Sequence, residues 1–107
     1  MSIYEHTYIA TPDCNKKDID NIEKKIESIL TSNAGKIVRK EDWGLRNLAY
    51  PIKKNVKGIY QNLYFESNGK AIKEIEYFER YNDKVMKFLS IKLKKLPKED
   101  SQLKNNK

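Results

Sequence analysis

Lysine supplies most of the chemistry this sequence offers, and its lysines are grouped. Lys53, Lys54 and Lys57 stand close together after Pro51, and Lys92, Lys94 and Lys95 close an apolar run that starts at Val85. A lysine ammonium is a flexible point charge that meets phosphate oxygens without reading bases. These groups therefore predict positioning contacts to a folded RNA. Charge along the chain points the same way. Residues 1–35 hold four Lys against six acids, and residues 58–83 three basic groups against five, a net of −2 each. Residues 36–57 hold seven Lys or Arg against two acids (+5), and residues 84–107 eight Lys against two (+6). The whole surplus of +7 lies in two segments, and charge grouped in this way attracts polyanions.

Catalytic chemistry has little to work with. His6 is the single histidine, and its place between Tyr4 and Tyr8 on a strand face predicts a hydrogen-bonded structural role. Cys14, the single cysteine, follows Asp13, whose negative charge works against a reactive thiolate. One cysteine excludes an internal disulfide and a cysteine-built metal site, and fits a reducing cytosol. The acids of the two helical segments are expected on outward faces among lysines. A phosphate-handling enzyme needs loop amides and a cation around the phosphate. In Thr11-Pro12-Asp13-Cys14-Asn15, Pro12 lacks an amide hydrogen, Asp13 repels an anion and no arginine is present. The expectation is a protein that is not an enzyme, with no cofactor, no metal and no small-molecule substrate.

The elements that must position these groups follow from periodicity. At 107 residues the chain holds one domain and buries roughly 65% of its unfolded surface. It has no apolar run long enough to span a membrane, and Glu5 and His6 interrupt any signal-like start. Ile3–Ala10 alternates as a strand, with Tyr4, His6, Tyr8 and Ala10 on one face. Thr11-Pro12-Asp13 turns, and Asn15 caps a helix with Asp18 in the capping-box position. Ile19, Ile22, Ile26, Ile29 and Leu30 form its apolar stripe, and Asn33-Ala34-Gly35 ends it with Gly35 left-handed. A long second strand starts near Lys36, is broken by a bulge at Gly44 and is closed by Pro51. Asn55–Gly58 is expected as the turn into a third strand, Ile59–Glu66. A second helix covers about Lys70–Tyr81, with Ile72, Ile75 and Phe78 inward, and a last strand runs from Val85 to about Leu93. Residues 1–96 make the domain, and residues 97–107 a polar, mobile tail.

Strand, helix, strand, strand, helix, strand is the ferredoxin-like α+β order, with two helices on one face of a four-stranded antiparallel sheet. The first and third strands are then central, and both basic segments lie on or beside edges. The second-strand edge, with Glu41, Asp42, Trp43, Arg46 and Asn47, is a candidate surface for a protein partner. Charges on an edge discourage indiscriminate pairing, while aromatics and arginine anchor interfaces. Trp43 serves there as anchor or, equally, as a core residue. Tyr50, at period-two spacing with Leu48 and Ile52, is expected to pack. Tyr60 and Tyr64 fall on the open sheet face, where they form cross-strand pairs or, in a stand-alone single-stranded RNA binder of the same topology, stack on bases.

The run Asp42-Trp43-Gly44-Leu45-Arg46-Asn47-Leu48-Ala49-Tyr50-Pro51-Ile52-Lys53-Lys54-Asn55 resembles the signature of one family, the bacterial small-subunit ribosomal protein six. Gly44, Arg46, Asn47, Leu48, Ala49, Tyr50, Ile52 and Lys53 fill that pattern without a gap, and the similarity extends from Ile3 to about Leu93. The resemblance implies a non-catalytic, cytoplasmic, ribosome-associated protein. It would bind the central domain of 16S ribosomal RNA as a heterodimer with small-subunit protein eighteen. It associates Arg46 and Asn47 with the partner edge, and Lys53 is its basic position. Some family members end in an acidic tail that receives added glutamates; this lysine- and amide-rich tail departs from that pattern. His6 departs too, at a strand position that is usually aliphatic.

Overall fold

A computed structural model of the chain describes residues 2–94. Its elements are β1 (Ser2–Ala10), α1 (Lys16–Ser32), β2 (Lys36–Ile52), β3 (Asn55–Ser67), α2 (Gly69–Arg80) and β4 (Val85–Leu93). Local chemistry starts both helices. The Asn15 side chain accepts from the Asp18 amide at 2.9 Å, and Asp18 accepts in return from the Asn15 amide at 3.1 Å. Such a reciprocal cap satisfies two amides that the first helical turn cannot. Asn68 caps α2 by accepting from the Ala71 amide at 2.9 Å.

The sheet is antiparallel in the order β2-β3-β1-β4, so β1 and β3 are central and the ferredoxin-like arrangement expected from the sequence is present. Register sets the faces. Tyr8 lies opposite Gln61, His6 opposite Leu63 and Tyr4 opposite Phe65, all beneath the helices. Tyr8, Leu63 and Phe65 meet Ile22, Ile26 and Leu30 of α1 and Ala71, Ile72 and Ile75 of α2 in one core. Fully buried side chains such as Ile26 and Leu30 each contribute roughly 1.5–3 kcal/mol.

Four details differ from the sequence reading. The left-handed residue after α1 is Ala34 (φ 61°), not Gly35. Gly35 serves close approach instead, since a Cβ there would stand 2.7 Å from the Glu66 carbonyl oxygen. The β2–β3 turn is Lys53-Lys54, and Asn55–Gly58 already belongs to β3. Glu23 and Glu79 are buried rather than outward, because their partners come from other elements: Tyr8 donates to Glu23 at 3.2 Å, and His6 meets Glu79. Tyr50 is 61% exposed rather than packed. The expected bulge at Gly44 is present: pairing steps from Asp42–Gln61 to Gly44–Tyr60, and Gly44 has φ 76°. Trp43 is the extra residue. Asp42 holds the bulge by accepting from the Gly44 amide (2.9 Å) and from Gln61 Nε2 (2.8 Å).

Candidate RNA and partner interface

The β2–β3 hairpin outruns the rest of the sheet. Ile59 is the last β3 residue paired to β1, whereas β2 stays paired through Arg46–Gly58, Asn47–Lys57 and Ile52–Asn55. Gly58 makes the exit feasible, because a Cβ there would meet Ile9 Cγ2 at 2.4 Å and Met86 Cε at 2.9 Å. Between the last two pairs, Leu48, Ala49, Tyr50 and Pro51 stand against Val56 alone. The alternation that would have packed Tyr50 is broken by this wide bulge. At the tip, Lys53 (φ 49°) and Lys54 (φ 68°) are both left-handed. A two-residue loop with both φ positive has the form of a type I′ turn, the hairpin turn whose twist matches the strands. It usually carries Asn-Gly, so two lysines here are an unusual choice.

Lys53, Lys54 and Lys57 are all exposed on this arm, and residues 43–60 contain no Asp or Glu to neutralise them. Lys92 and Lys94 are exposed at the other end of the sheet. Leu93 pairs with Ile3, and Ile3 and Ala10 at the two ends of β1 are roughly 23 Å apart at strand rise. The two lysine groups thus do not form one patch. Lys95 and the tail at 97–107 lie outside the described residues. The β4 lysine that does approach the arm is Lys87, opposite Ile9, whose Nζ is 5.9 Å from the centre of the Tyr50 ring. Sequence reasoning passed over it; its place two residues into β4 was the available signal.

At the β2 edge, Asp42 and Asn47 are exposed and Arg46 is half-buried, while Glu41 and Trp43 lie below the surface. Trp43 stacks on Tyr60 with ring centres 6.4 Å apart, and its Nε1 donates to Glu41 at 3.0 Å. Arg46 Nε donates to the Trp43 carbonyl at 2.9 Å. Glu41, expected as a surface contact, is instead packed beneath the edge, and of the two roles open to Trp43 it takes the buried one; Asp42, Arg46 and Asn47 are the edge residues of this group that keep exposed surface. Tyr60 and Tyr64 are on the open face as expected, but Tyr64 is 3% exposed, with the Arg39 guanidinium 5.3 Å over its ring. Its hydroxyl donates to Glu5, and burial followed by the Glu5 charge raises its pKa. Tyr64 thus has no ring face open for a base, and Tyr60 is half-buried with Trp43 stacked against it.

His6 is the hydrogen-bonded core histidine expected from the sequence. Nδ1 lies 2.7 Å from Ser90 Oγ and Nε2 lies 2.9 Å from Glu79 Oε2. The order serine, histidine, carboxylate is that of a nucleophile and its base. His6 and Glu79 are sealed in the core, however, and no substrate reaches them. On the surface, Asp13 has its pKa lowered, first by the hydrogen bond from the Thr11 hydroxyl. Among the described residues, no group of His, Cys, Asp and Glu is arranged to hold a metal ion, and no helix is long and apolar enough to cross a membrane.

The strand order and the two helices define a ferredoxin-like protein of the α+β class, here with a charged edge and a lysine-tipped arm. The sequence profile described as ribosomal protein S6 matches residues 3–92, and the chain belongs to that family. It is 41% identical over 95 residues to small ribosomal subunit protein bS6 of Pelagibacter ubique, covering 89% of this chain and 78% of that protein. It is 40% identical over 106 residues to the bS6 protein of Rickettsia felis, covering 99% and 88%. The crystal structure of 30S ribosomal protein S6 from Thermotoga maritima matches with a TM-score of 0.77 at 29% identity, over 86% of this chain and 87% of that one. The chain is accordingly a structural component of the small ribosomal subunit, not an enzyme.

Proposed function

We propose that this chain binds 16S ribosomal RNA in its central domain through the lysines of the hairpin arm, with Lys92 and Lys94 at the far end of the sheet, and Lys95 next to them in sequence, as a second contact. It does so together with small-subunit protein eighteen, docked along the β2 edge at Asp42, Arg46 and Asn47. The observation that carries the RNA reading is the left-handed backbone of Lys53 and Lys54. A non-glycine residue in that region costs about 1–2 kcal/mol, and a lysine has no short side chain to offset it. Placing two cations where Asn-Gly would be more stable makes sense when their charge is used. The partner reading rests on family membership and on an edge that presents charged and polar groups, Asp42, Arg46 and Asn47, around an exposed Leu45.

The test is binding of the purified chain to 16S ribosomal RNA across a salt series, with and without protein eighteen. Replacing Lys53, Lys54 and Lys57 by alanine lowers the salt slope by about 0.9 log units for each phosphate no longer engaged, if the duplex value transfers. An unchanged slope removes these lysines from the RNA surface. Arg46→Glu and Asn47→Glu weaken capture of protein eighteen with folding intact, as read by Trp43 fluorescence. Full capture by both variants places the partner elsewhere. Tight, partner-independent binding to unstructured oligonucleotides would instead favour a single-strand binder, a reading that the burial of Tyr64 opposes.

A further inference from the structure

Resting on the RNA-binding reading, we infer that Tyr50 and Lys87 form a stacking site for one unpaired nucleobase of the RNA, the phenol ring taking the base and the ammonium the adjoining phosphate. Tyr50 stands on the four-residue bulge and is 61% exposed, in a chain that buries or covers its other arm and sheet-face aromatics, Trp43, Tyr60 and Tyr64. Pro51 follows it directly, restricts the Tyr50 backbone to extended geometry and fixes its own φ. The ring is therefore presented by a constrained segment, anchored on either side by the half-buried Leu48 and Ile52.

The surroundings select nucleic acid over protein. Lys87 sits 5.9 Å from the ring centre, Lys53 and Lys54 follow three and four residues later, and no carboxylate occurs between Trp43 and Tyr60. Interface cores between proteins are depleted in lysine, whereas an aromatic set among cations is the usual platform for a base and its phosphate. The other exposed aromatics lack this setting. Tyr77 of α2 and Tyr81, the cap at its end, pair with each other at 4.9 Å, and the lysines of that helix, Lys70 and Lys73, stand beside the acids Glu74 and Glu76. Stacking is nearly blind to base identity, so the site selects an unstacked nucleotide, not a sequence. With the tip lysines on backbone phosphates, it would set the arm against a bulge or loop, not a continuous helix.

The experiment uses the full chain with protein eighteen and 16S ribosomal RNA, comparing Tyr50→Leu, Tyr50→Phe and Lys87→Ala with wild type and with the triple lysine variant. Tyr50→Leu is expected to weaken binding by roughly tenfold or more at an unchanged salt slope, because stacking releases no counterions. Tyr50→Phe stays near wild type, and Lys87→Ala lowers the slope by the equivalent of about one phosphate. Ultraviolet crosslinking of wild-type complex then joins Tyr50 to an unpaired nucleotide. Wild-type affinity in Tyr50→Leu, with the triple lysine variant impaired, overturns the stacking site and leaves the RNA reading standing. Loss of protein-eighteen capture in Tyr50→Leu with RNA affinity unchanged assigns the ring to the protein partner and overturns it as well. Salt-insensitive wild-type binding that the triple lysine variant also leaves unchanged overturns both readings together.

Discussion

Nε2 of His6 lies 2.8 and 2.9 Å from the two carboxylate oxygens of Glu79, and both residues are buried. The contact ties β1 to α2, and Ser90 at 2.7 Å from Nδ1 adds β4. A buried pair of this kind offers little net stability, since desolvation of both groups offsets their attraction; breaking it is another matter. His6→Ala, which strands Glu79 in the core, should cost about 3–5 kcal/mol in urea denaturation. His6→Leu combined with Glu79→Leu should come within about 1 kcal/mol of wild type or exceed it. Additive losses in the double variant would show that packing, not the stranded acid, sets the cost.

The same pair sets a pH dependence. Burial, the largest cause, raises the Glu79 pKa above the usual 4.5; His6 pulls it down and the charge of nearby Glu76 pushes it up. A carboxyl whose pKa is raised on folding holds its proton more tightly in the folded state. Its stabilising contribution is then full below the unfolded value of 4.5 and is lost as pH climbs through the raised folded value. Glu79→Gln keeps the shape and removes the titration. The stability of wild type relative to Glu79→Gln should fall as pH rises above 4.5, measured by urea denaturation. A difference that stays level or grows with pH contradicts the sign.

Gly35 tests a separate point, close approach without backbone strain. A Cβ there meets the Glu66 carbonyl oxygen at 2.7 Å and Ser67 Cβ at 3.2 Å, and the oxygen belongs to a backbone that cannot rotate away. Gly35→Ala should therefore destabilise by about 1–3 kcal/mol, the usual cost of overpacking. Ala34→Gly, at the residue that is left-handed, should be neutral or stabilising because the strain there is relieved. If Gly35→Ala melted with wild type, the β2 entry would be looser than its geometry indicates.

What could be read from the sequence was what short-range chemistry decides. Asn15 and Asp18 announce their cap, Gly44 its bulge, and the apolar stripes of both helices their buried faces. The misread residues are those whose fate depends on distant parts of the chain. Glu23 and Glu79 look like surface acids until Tyr8 and His6 are brought against them from β1. Tyr50 looks packed while alternation is assumed, and the bulge that ends alternation carries no glycine to signal it. The turn at Lys53-Lys54 hides for a related reason: neither residue favours positive φ. In the candidate site the arm lysines were legible from charge grouping. Lys87 was passed over although the expected strand order set β4 beside β1, because its approach to Tyr50 depends on where the arm carries that ring; the separation of the two lysine groups likewise exists only in the folded sheet.

That turn yields the sharpest test of why lysine is there. Replacing Lys53-Lys54 by Asn-Gly installs residues that accept left-handed backbone, and should stabilise the isolated chain by about 1–2 kcal/mol. The same change removes two cations from the arm tip, so the salt slope of RNA binding should fall by about 0.9 log units for each phosphate no longer engaged. Stability and binding then move in opposite directions in one variant. Such opposition is expected when a local structural cost is retained for function. A variant that gains stability and keeps the full salt slope would show that the tip lysines do not touch phosphate. One that gains no stability would show that the left-handed backbone carries no strain there, and would remove the main physical support for assigning the tip to RNA.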